Sequence, residues 1–397
     1  MLSRPVHPRG HELTAAATYL GDPHPLYAQL RAEEPISWVE DPGFWAVTTH
    51  AGVTRVSLHP EEFCSARGIL VEEIGRHYDF PPTMMHTDAP AHTRYRRLVQ
   101  PGFKPSMVKL LRDQVTATAT ALLDDLSVDE PVDLVSALSV PFPLQVIAAL
   151  LGADVDEWET FFEWSEVSIP GASDLPAEVQ QAKQLEMWEY LSALAGARRA
   201  HPKDDLVSAI ATATIDGDLL SEAELAMFLI QLLVAGNETT RNLLSGGILA
   251  LAERPEQWEL LRAQPDLRPR AIEEMLRWTT PVTSFLRTAL TTTHLGDTTI
   301  SEGDPVLMVY ASANLDEAAF GPTASSFDIT RSPNPHVSFG DGNHFCLGAA
   351  LARMEADVIL EGLSHKAPTL SVAGTIERSP STIINGIRRA ELQLGSA

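Results

Sequence analysis

Apolar residues recur at helical spacing through most of the chain, and the alternating pattern typical of strands occupies only a few short stretches. A hairpin is predicted in ISWVEDPGFWAVTT, with its turn at Asp41-Pro42-Gly43, and short strands are predicted in LRTALTTTHLGDTTISEGDPVLMVY. No internal repeat, linker or composition shift divides the pattern. We therefore expect a mainly α fold with a minor β region, as a single domain over residues 1–397, with residues 1–21 as a loosely ordered extension.

The most apolar long stretch, AELAMFLIQLLVAGNETTRNLLSGGILALAE, is predicted to be a buried helix. Gln231, Asn237, Glu238, Thr239 and Arg241 interrupt it, and a lipid-facing helix would not tolerate them cheaply. The opening residues contain no continuous apolar core of the signal-peptide type. We expect a cytoplasmic protein without a membrane span.

Net charge and cysteine content limit which partners and which redox environment we expect. The formal net charge of −24 disfavours binding to nucleic acid or to anionic membranes, so neither is expected as a partner. The two cysteines, Cys64 and Cys346, are too few for a disulfide framework, which is consistent with a reducing compartment.

Cys346 lies in an unusual context, VSFGDGNHFCLGAALAR. Glycine-rich turn residues precede it and a helix-forming run follows, so the sulfur is predicted to lie at a helix N-terminus. There the helix dipole and unpaired N–H groups would lower the pKa of the thiol. Gly342 and Gly348 would let a flat, bulky partner approach the backbone. The alternative is a cysteine that merely packs at the start of a helix.

The full spacing, Phe339-Gly340-x-Gly342-x-His344-x-Cys346-x-Gly348, resembles the haem-ligand loop of the cytochrome P-450 family of haem-thiolate monooxygenases. The resemblance implies the cytochrome P-450 fold, with haem b as cofactor and Cys346 as the iron ligand. It also implies that Phe339 packs near the thiolate, that His344 faces a haem propionate and that Gly348 contacts the haem. A thiolate pushes electron density onto the iron and favours cleavage of the O–O bond.

A second motif, AGNETT at residues 235–240, is similar to the oxygen-activation motif of the same family. Thr239 can hydrogen-bond the carbonyl of Ala235 one turn earlier, which would open a groove for dioxygen beside the haem. Glu238 could relay protons, with Thr239 as its catalytic partner. The alternative is a helix kink with a solvated acid.

The spacing of Glu274 and Arg277 matches the E-x-x-R element of that family, although an i, i+3 pair alone is usually an ordinary surface contact. Arg331 matches the third member of the family's buried charge network. The resemblance gives these three residues a structural role in holding the cysteine loop.

Basic residues also occupy the positions at which the family binds the two haem propionates. His92 and Arg96 fall on one helix face at i and i+4, where the family has histidine and arginine, and Arg287 matches another propionate contact. Without that context His92 would be interpreted as a surface or capping histidine.

The segment from Ala91 to Arg112 contains no acid in a strongly acidic chain. Its remaining basic residues are Arg94, Arg97, Lys104, Lys109 and Arg112. In the family this region borders the surface that accepts electrons from an acidic ferredoxin. We expect a ferredoxin and a ferredoxin reductase as partners, with NAD(P)H as the indirect reductant. The alternative is a solvated helix face without a partner.

Residues at the family's pocket positions are mostly apolar, which favours a lipophilic small-molecule substrate held by shape. They are Ile69, Leu70, Val71, Ile74, Gln231, Val234, Val282, Thr283, Phe285 and Ile383. Gln231 could hydrogen-bond a substrate oxygen or be an ordinary interior glutamine.

We therefore predict a haem-thiolate monooxygenase that hydroxylates a C–H bond with dioxygen, resembling actinobacterial hydroxylases of steroids and terpenoids. One alternative is a tailoring oxidase of a polyketide or peptide scaffold. Two others are a haem-thiolate sensor without oxygenase activity and a haem-free hydrolase using Cys346 and His344.

Overall fold

The structure is a computed structural model that describes residues 4–76, 82–103, 109, 111–128, 130–203, 205–214 and 217–395. Its longer helical segments are Ala16–Leu20 (α1), His24–Glu33 (α2), His50–Leu58 (α3), Ala91–Val99 (α4), Arg112–Asp125 (α5), Pro141–Leu151 (α6), Trp158–Glu166 (α7), Ala177–Ala200 (α8), Leu206–Thr212 (α9), Glu222–Ala252 (α10), Pro255–Ala263 (α11), Arg268–Thr279 (α12), Tyr310–Ala313 (α13), Glu317–Phe320 (α14) and Ala349–Lys366 (α15). The strands are Ile36–Val39 (β1), Phe44–Val47 (β2), Phe63–Cys64 (β3), Val132–Asp133 (β4), Ser284–Ala289 (β5), Thr293–Leu295 (β6), Thr298–Ile300 (β7), Pro305–Val309 (β8), Thr369–Arg378 (β9) and Ile387–Gly395 (β10).

The α10 helix is the centre of the largest hydrophobic core. It begins at a capping box, in which Ser221 Oγ accepts from the N–H of Glu224 and the Glu224 carboxylate accepts from the N–H of Ser221. Its 31 residues span about 47 Å at the usual rise of about 1.5 Å per residue. The prediction of a long buried helix is confirmed. No helix in the described ranges combines the length and apolar character needed to cross a bilayer.

The described strands form three sheets beside the helices. The largest has the strand order β1-β2-β8-β5-β3, in which β2 and β8 run parallel and the other neighbours run antiparallel. The predicted hairpin and the strands predicted between Leu286 and Tyr310 are present. A second sheet, β4-β10-β9, includes the C-terminal strands, which the sequence analysis did not predict. Apolar clusters cover both faces of the five-stranded sheet.

The described residues before position 22 form short helical turns against this sheet. Leu13 and Tyr19 are buried, and Arg4 pairs with Asp304 at 2.8 Å. The N–H of Trp38 donates to the carbonyl of Pro5 at 2.7 Å. A loosely ordered extension was predicted here, but the segment carries enough apolar surface to pack on the sheet.

Candidate active site

A large cavity lies between the α10 helix, the loop before α15 and the end of β5. The space within it, including its open mouth, is about 1520 Å³. Most of its lining is apolar: Ile69, Met84, Met85, Phe103, Ile147, Phe228, Leu232, Leu243, Leu276, Val282, Phe285, Leu347 and Leu351. The cavity also brings together Thr239 from α10 and Cys346 from the loop, which are more than 100 residues apart in sequence.

The loop before α15 turns sharply and delivers Cys346 to the cavity. Gly340 and Gly342 have left-handed φ values of 68° and 67°, which favour glycine. A Cβ on Gly342 would lie 2.6 Å from the carbonyl oxygen of Ser57 in α3, so this glycine admits the neighbouring backbone and not a cofactor. That corrects the prediction for Gly342. Gly348 lines the cavity and precedes α15, and a Cβ there would meet no atom within 4 Å.

The surroundings of the Cys346 sulfur favour the neutral thiol. Burial raises the pKa of Cys346, outweighing the backbone N–H groups of Gly348 and Ala349 and the positive charge of Arg96 and Arg353. The helix start does lower this pKa, as expected, but desolvation is the larger effect, so the net shift of the pKa is upward and not downward. A thiolate at this position needs a cation beside the sulfur, which a bound metal would supply.

Phe339 lies beside Cys346 in the loop. The N–H of Cys346 donates to the carbonyl of Phe339 at 2.8 Å, and the Arg353 guanidinium lies 4.6 Å from the centre of the Phe339 ring. Phe339 and Cys346 both line the cavity.

Two histidines and two arginines from separate parts of the chain meet at one side of the cavity. The rings of His92 and His344 lie 4.2 Å apart, and Arg96 and Arg287 line the same space. Nε2 of His92 is buried and has no hydrogen-bond partner among the described residues. Burial first, and then the arginine charges, lower the pKa of both histidines, that of His344 to about 3. This grouping of cations and an unpaired ring nitrogen suits an anionic substituent.

Three of these four residues also make polar contacts with the protein. His344 Nε2 lies 3.1 Å from the hydroxyl of Ser65, and Arg287 donates to the carbonyl of Leu286 at 2.7 Å. Arg96 donates to the carbonyls of Asn343 and Phe345 at 3.3 and 2.8 Å. Arg96 therefore links α4 directly to the cysteine loop.

On α10, the predicted hydrogen bond between Thr239 and Ala235 is present. The Thr239 hydroxyl donates to the carbonyl of Ala235 at 2.8 Å, and both residues line the cavity. The helix nevertheless runs unbroken from Glu222 to Ala252, so the opening of a groove at this hydrogen bond stays a prediction.

Glu238 does not line the cavity, contrary to the simplest form of the prediction. It is buried outside the cavity lining, and its carboxylate receives a hydrogen bond from Arg241 at 3.1 Å. Arg241 also pairs with the partly exposed Glu166 at 2.6 Å. Burial raises the pKa of Glu238 despite the arginine. The Glu238 carboxyl group is thus held on the side of Arg241 and the partly exposed Glu166. It would have to rotate to contact Thr239.

Glu355 is a cavity residue that the sequence analysis missed. It is only 2% exposed, and its carboxyl group receives a hydrogen bond from the Thr240 hydroxyl at 3.1 Å. Burial raises the pKa of Glu355 to about 8. The sequence did contain a signal, because Leu351, Glu355 and Ile359 follow i, i+4 spacing on the apolar face of α15.

We expect Glu355 to make the stability of the protein depend on pH. Between its ordinary pKa of 4.5 and the folded value of about 8, the unfolded chain ionises Glu355 and the folded protein does not. The free energy of unfolding is therefore highest, as far as Glu355 determines it, below about pH 4.5. It falls as the pH rises toward 8, by on the order of a few kcal/mol. Glu355→Gln should flatten this part of the profile in urea unfolding of the holoprotein between pH 5 and 8. The exposed Glu302→Gln should not. Equal slopes in all three proteins would contradict the prediction.

Glu274, Arg277 and Arg331 form one buried charge network, as predicted. Arg277 donates to both carboxylate oxygens of Glu274 at 2.7 and 2.8 Å, and Arg331 Nε lies 3.1 Å from the same group. Glu274 and Arg277 are completely buried.

The link from this network to the cysteine loop includes two residues that the sequence analysis missed. Arg277 donates to the carbonyl of Asn314 at 2.9 Å. The Asn314 side chain in turn accepts from the N–H of Val337 and donates to the hydroxyl of Ser338, both at 2.8 Å. Asn314 and Ser338 lie far apart in sequence from Glu274, and no spacing pattern marks them.

Four of the predicted pocket residues line the cavity, namely Ile69, Gln231, Val282 and Phe285. Six do not, and they correct the prediction: Leu70, Val71, Ile74, Val234, Thr283 and Ile383. A helical turn at Val71–Glu73 directs Leu70 and Val71 to a small separate space that Ile383 also borders. Ile74 packs on the sheet cluster, and the Thr283 hydroxyl donates to the carbonyls of Thr382 and Ile383.

The predicted basic patch is less charged than its sequence indicates, because acids from other segments reach it. Arg112 pairs with Asp357 at 2.7 Å, and Arg94 lies 3.6 Å from Glu224. Arg97 and Lys109 are exposed. Lys104 lies outside the described residues.

Comparison with known proteins extends these observations. The sequence profile of the family described as Cytochrome P450 matches residues 183–363. The steroid C26-monooxygenase of Mycolicibacterium smegmatis is 38% identical over 388 residues, covering 93% of this chain and 90% of that protein. The linalool 8-monooxygenase of Pseudomonas putida is 35% identical over 395 residues, covering 94% of this chain and 95% of that protein. A solved cytochrome P450 of Mycobacterium marinum in complex with pseudoionone has a TM-score of 0.90 and 34% identity, covering 99% of this chain and 100% of that one.

The fold and the cavity thus define a helical enzyme built around a prosthetic-group pocket. The similarities extend over nearly the whole chain, and the chain belongs to the cytochrome P450 family of monooxygenases. The family implies a haem bound through a cysteine thiolate. The cavity residues fit such a group, since the Cys346 thiol, an unpaired His92 nitrogen and two arginines line the same space.

Proposed function

We propose that this cytochrome P450 hydroxylates a C–H bond of a lipophilic, steroid-like or terpenoid-like molecule, with dioxygen and electrons from a cytoplasmic ferredoxin system. The observation that carries the proposal is the apolar cavity whose lining includes both Cys346 and the hydrogen-bonded pair Thr239 and Ala235. Ferredoxin would be reduced by NAD(P)H through a ferredoxin reductase. Arg97 and Lys109 are exposed and would contact an acidic partner. Arg94 and Arg112 form ion pairs within the protein.

In this proposal Cys346 would hold the haem iron, with Phe339 beside it. His92, Arg96, Arg287 and His344 would meet the propionates, and Gly348 and Ala235 would border the ring. When bound, a haem with a thiolate ligand activates dioxygen so that one oxygen atom enters the substrate.

The protein's own contribution would be to deliver protons while excluding water. The Thr239 hydroxyl is held by the Ala235 carbonyl and can turn to donate a proton within the groove. Glu238 would take up protons from the surface side, where Arg241 holds it near the partly exposed Glu166. Turning of Glu238 away from Arg241 would bring that proton to Thr239.

Relatives support the lipophilic substrate class. Two of the relatives are a steroid C26-monooxygenase and a linalool 8-monooxygenase, and the Mycobacterium marinum structure contains pseudoionone. A second candidate function, tailoring of a macrolide, is favoured by one observation. A mutant of the P450 EryK in complex with erythromycin B has a TM-score of 0.85 and 31% identity.

A Soret titration of the purified ferric protein tests the proposal. Steroids, terpenoids, fatty acids and macrolide precursors are added in turn, and a high-spin shift marks a compound that displaces water from the iron. A response to a steroid or terpenoid, followed by hydroxylated product with a ferredoxin system, supports the proposal. A response confined to macrolides replaces it with the tailoring function. Absence of a Soret band after haem is supplied overturns the assignment of Cys346.

Replacing Thr239 by alanine is expected to lower product formation about 100-fold, because a positioned proton donor is lost. Reductant consumption should continue, with its electrons appearing as hydrogen peroxide. Thr239→Ser keeps the hydroxyl and should retain most of the product. Product and peroxide are measured per NAD(P)H consumed. A haem-thiolate sensor predicts instead that Thr239→Ala hardly changes any readout, and that result would contradict the proposal.

A further inference from the structure

Gln231 has an amide whose orientation is fixed by the protein. It lies on α10 one turn before Ala235 and lines the cavity. Its Oε1 accepts a hydrogen bond from the backbone N–H of Met84 at 3.0 Å. A backbone N–H can only donate, so the amide atom that faces Met84 must be the oxygen.

The Nε2 group of Gln231 is therefore left as a donor. Among the described residues, the contact with Met84 is the only hydrogen bond of this side chain, and Gln231 keeps accessible surface. Its cavity neighbours Phe228, Leu232 and Met85 carry no side-chain oxygen or nitrogen that could accept from it. A donor in such surroundings is costly to bury unpaired and is best satisfied by an acceptor on the ligand.

We infer that the Gln231 amide N–H recognises a carbonyl or hydroxyl oxygen of the substrate, at a set distance from the carbon that is oxidised. The inference rests on the proposed function and names the chemical class of its substrate. A ligand that offers only a donor group would not satisfy this amide, because the amide oxygen is already engaged by Met84.

The positions of Gln231, Ala235 and Thr239 on α10 set the separation between the recognised oxygen and the oxidised carbon. Ala235 lies four residues beyond Gln231, or about 6 Å along the axis, and Thr239 lies about 12 Å beyond. The proposed function places oxidation beside Ala235 and Thr239, so the recognised oxygen would be offset roughly 6–12 Å along the helix axis from the oxidised carbon. A terpenoid alcohol or ketone has this span. A steroid would fit only when it presents an oxygen near the oxidised end, and not when its only oxygen is at the far end of the ring system.

Binding of matched ligands tests the inference. A terpenoid ketone, the corresponding alcohol and the hydrocarbon of the same skeleton are titrated into the holoprotein, by Soret shift and independently by calorimetry. The wild type is expected to bind the ketone and alcohol roughly tenfold more tightly than the hydrocarbon, the worth of one neutral hydrogen bond. Gln231→Leu should remove this preference.

Gln231→Glu separates recognition from a merely structural contact. An ionised glutamate still accepts from the Met84 N–H but offers no donor, so the preference should vanish at high pH and return as the carboxyl group is protonated. Leu233→Met, a volume-preserving change on the same helix at a core residue outside the cavity lining, should keep the preference.

Equal binding of ketone and hydrocarbon by the wild type would overturn the inference while leaving the proposed hydroxylase in place. An undiminished preference in Gln231→Glu at high pH would also overturn it and leave Gln231 as an anchor for Met84. Failure of every lipophilic compound to bind would instead count against the proposed function itself.

Discussion

Replacing Cys346 by serine is expected to abolish substrate oxidation while leaving the helical fold intact. The substitution is nearly isosteric, and the backbone bond from residue 346 to the Phe339 carbonyl does not involve the side chain. A serine hydroxyl cannot supply the electron donation of a thiolate, on which cleavage of the O–O bond depends. Product formation measures substrate oxidation, and the Soret position with carbon monoxide reports whether a thiolate is bound. The far-UV circular dichroism spectrum measures the helical fold.

The other cysteine provides the control. Cys64 is buried in β3 and is absent from the cavity lining, so Cys64→Ser should retain oxidation and the wild-type Soret band. If Cys346→Ser oxidised substrate at a rate near that of the wild type with the same Soret band, the assignment of Cys346 as iron ligand would be wrong.

Sequence alone predicted those parts of the site that depend on local spacing. The cysteine loop, the Thr239–Ala235 contact and the Glu274–Arg277 pair each lie within one turn or one helix, so the backbone geometry follows directly from the residue spacing. The long buried α10 helix was predictable for the same reason.

The pocket was less predictable because its lining depends on tertiary packing. Ile69 and Leu70 are neighbours in sequence, but only Ile69 faces the cavity, since the chain turns at Val71–Glu73. The spacing along α15 marks the burial of Glu355 but not its partner Thr240, which lies on another helix, 115 residues earlier in the chain. Such contacts have no local sequence pattern.

The pKa shifts in the site also depend on tertiary packing and not on local sequence alone. The sequence argument weighed only the helix N-terminus beside Cys346, whereas in the folded protein burial is the larger effect and raises the pKa. Glu238 follows the same rule, since burial raises its pKa although Arg241 lies beside it. Desolvation is set by the whole fold, so the signs of these shifts emerge only with the structure.

Arg277→Leu is expected to prevent stable folding of the holoprotein. Arg277 is completely buried and donates to Glu274 and to the carbonyls of Asn314, Ala324 and Ser326. Breaking a buried ion pair costs about 3–5 kcal/mol, and each carbonyl left unpaired adds about 1–3 kcal/mol. The sum approaches the whole stability of a typical protein, about 5–15 kcal/mol.

Loss of Arg277 should also release the cysteine loop through Asn314, so haem content should fall together with the urea midpoint. Arg389→Leu is the matched control, because the pair of Arg389 with Glu391 is half exposed and far from the loop, and it should change both measurements little. Arg277→Lys keeps the charge but loses the two-pronged contact with Glu274, and should give an intermediate loss. A Leu variant with a wild-type urea midpoint and full haem content would show that the network does not hold the loop.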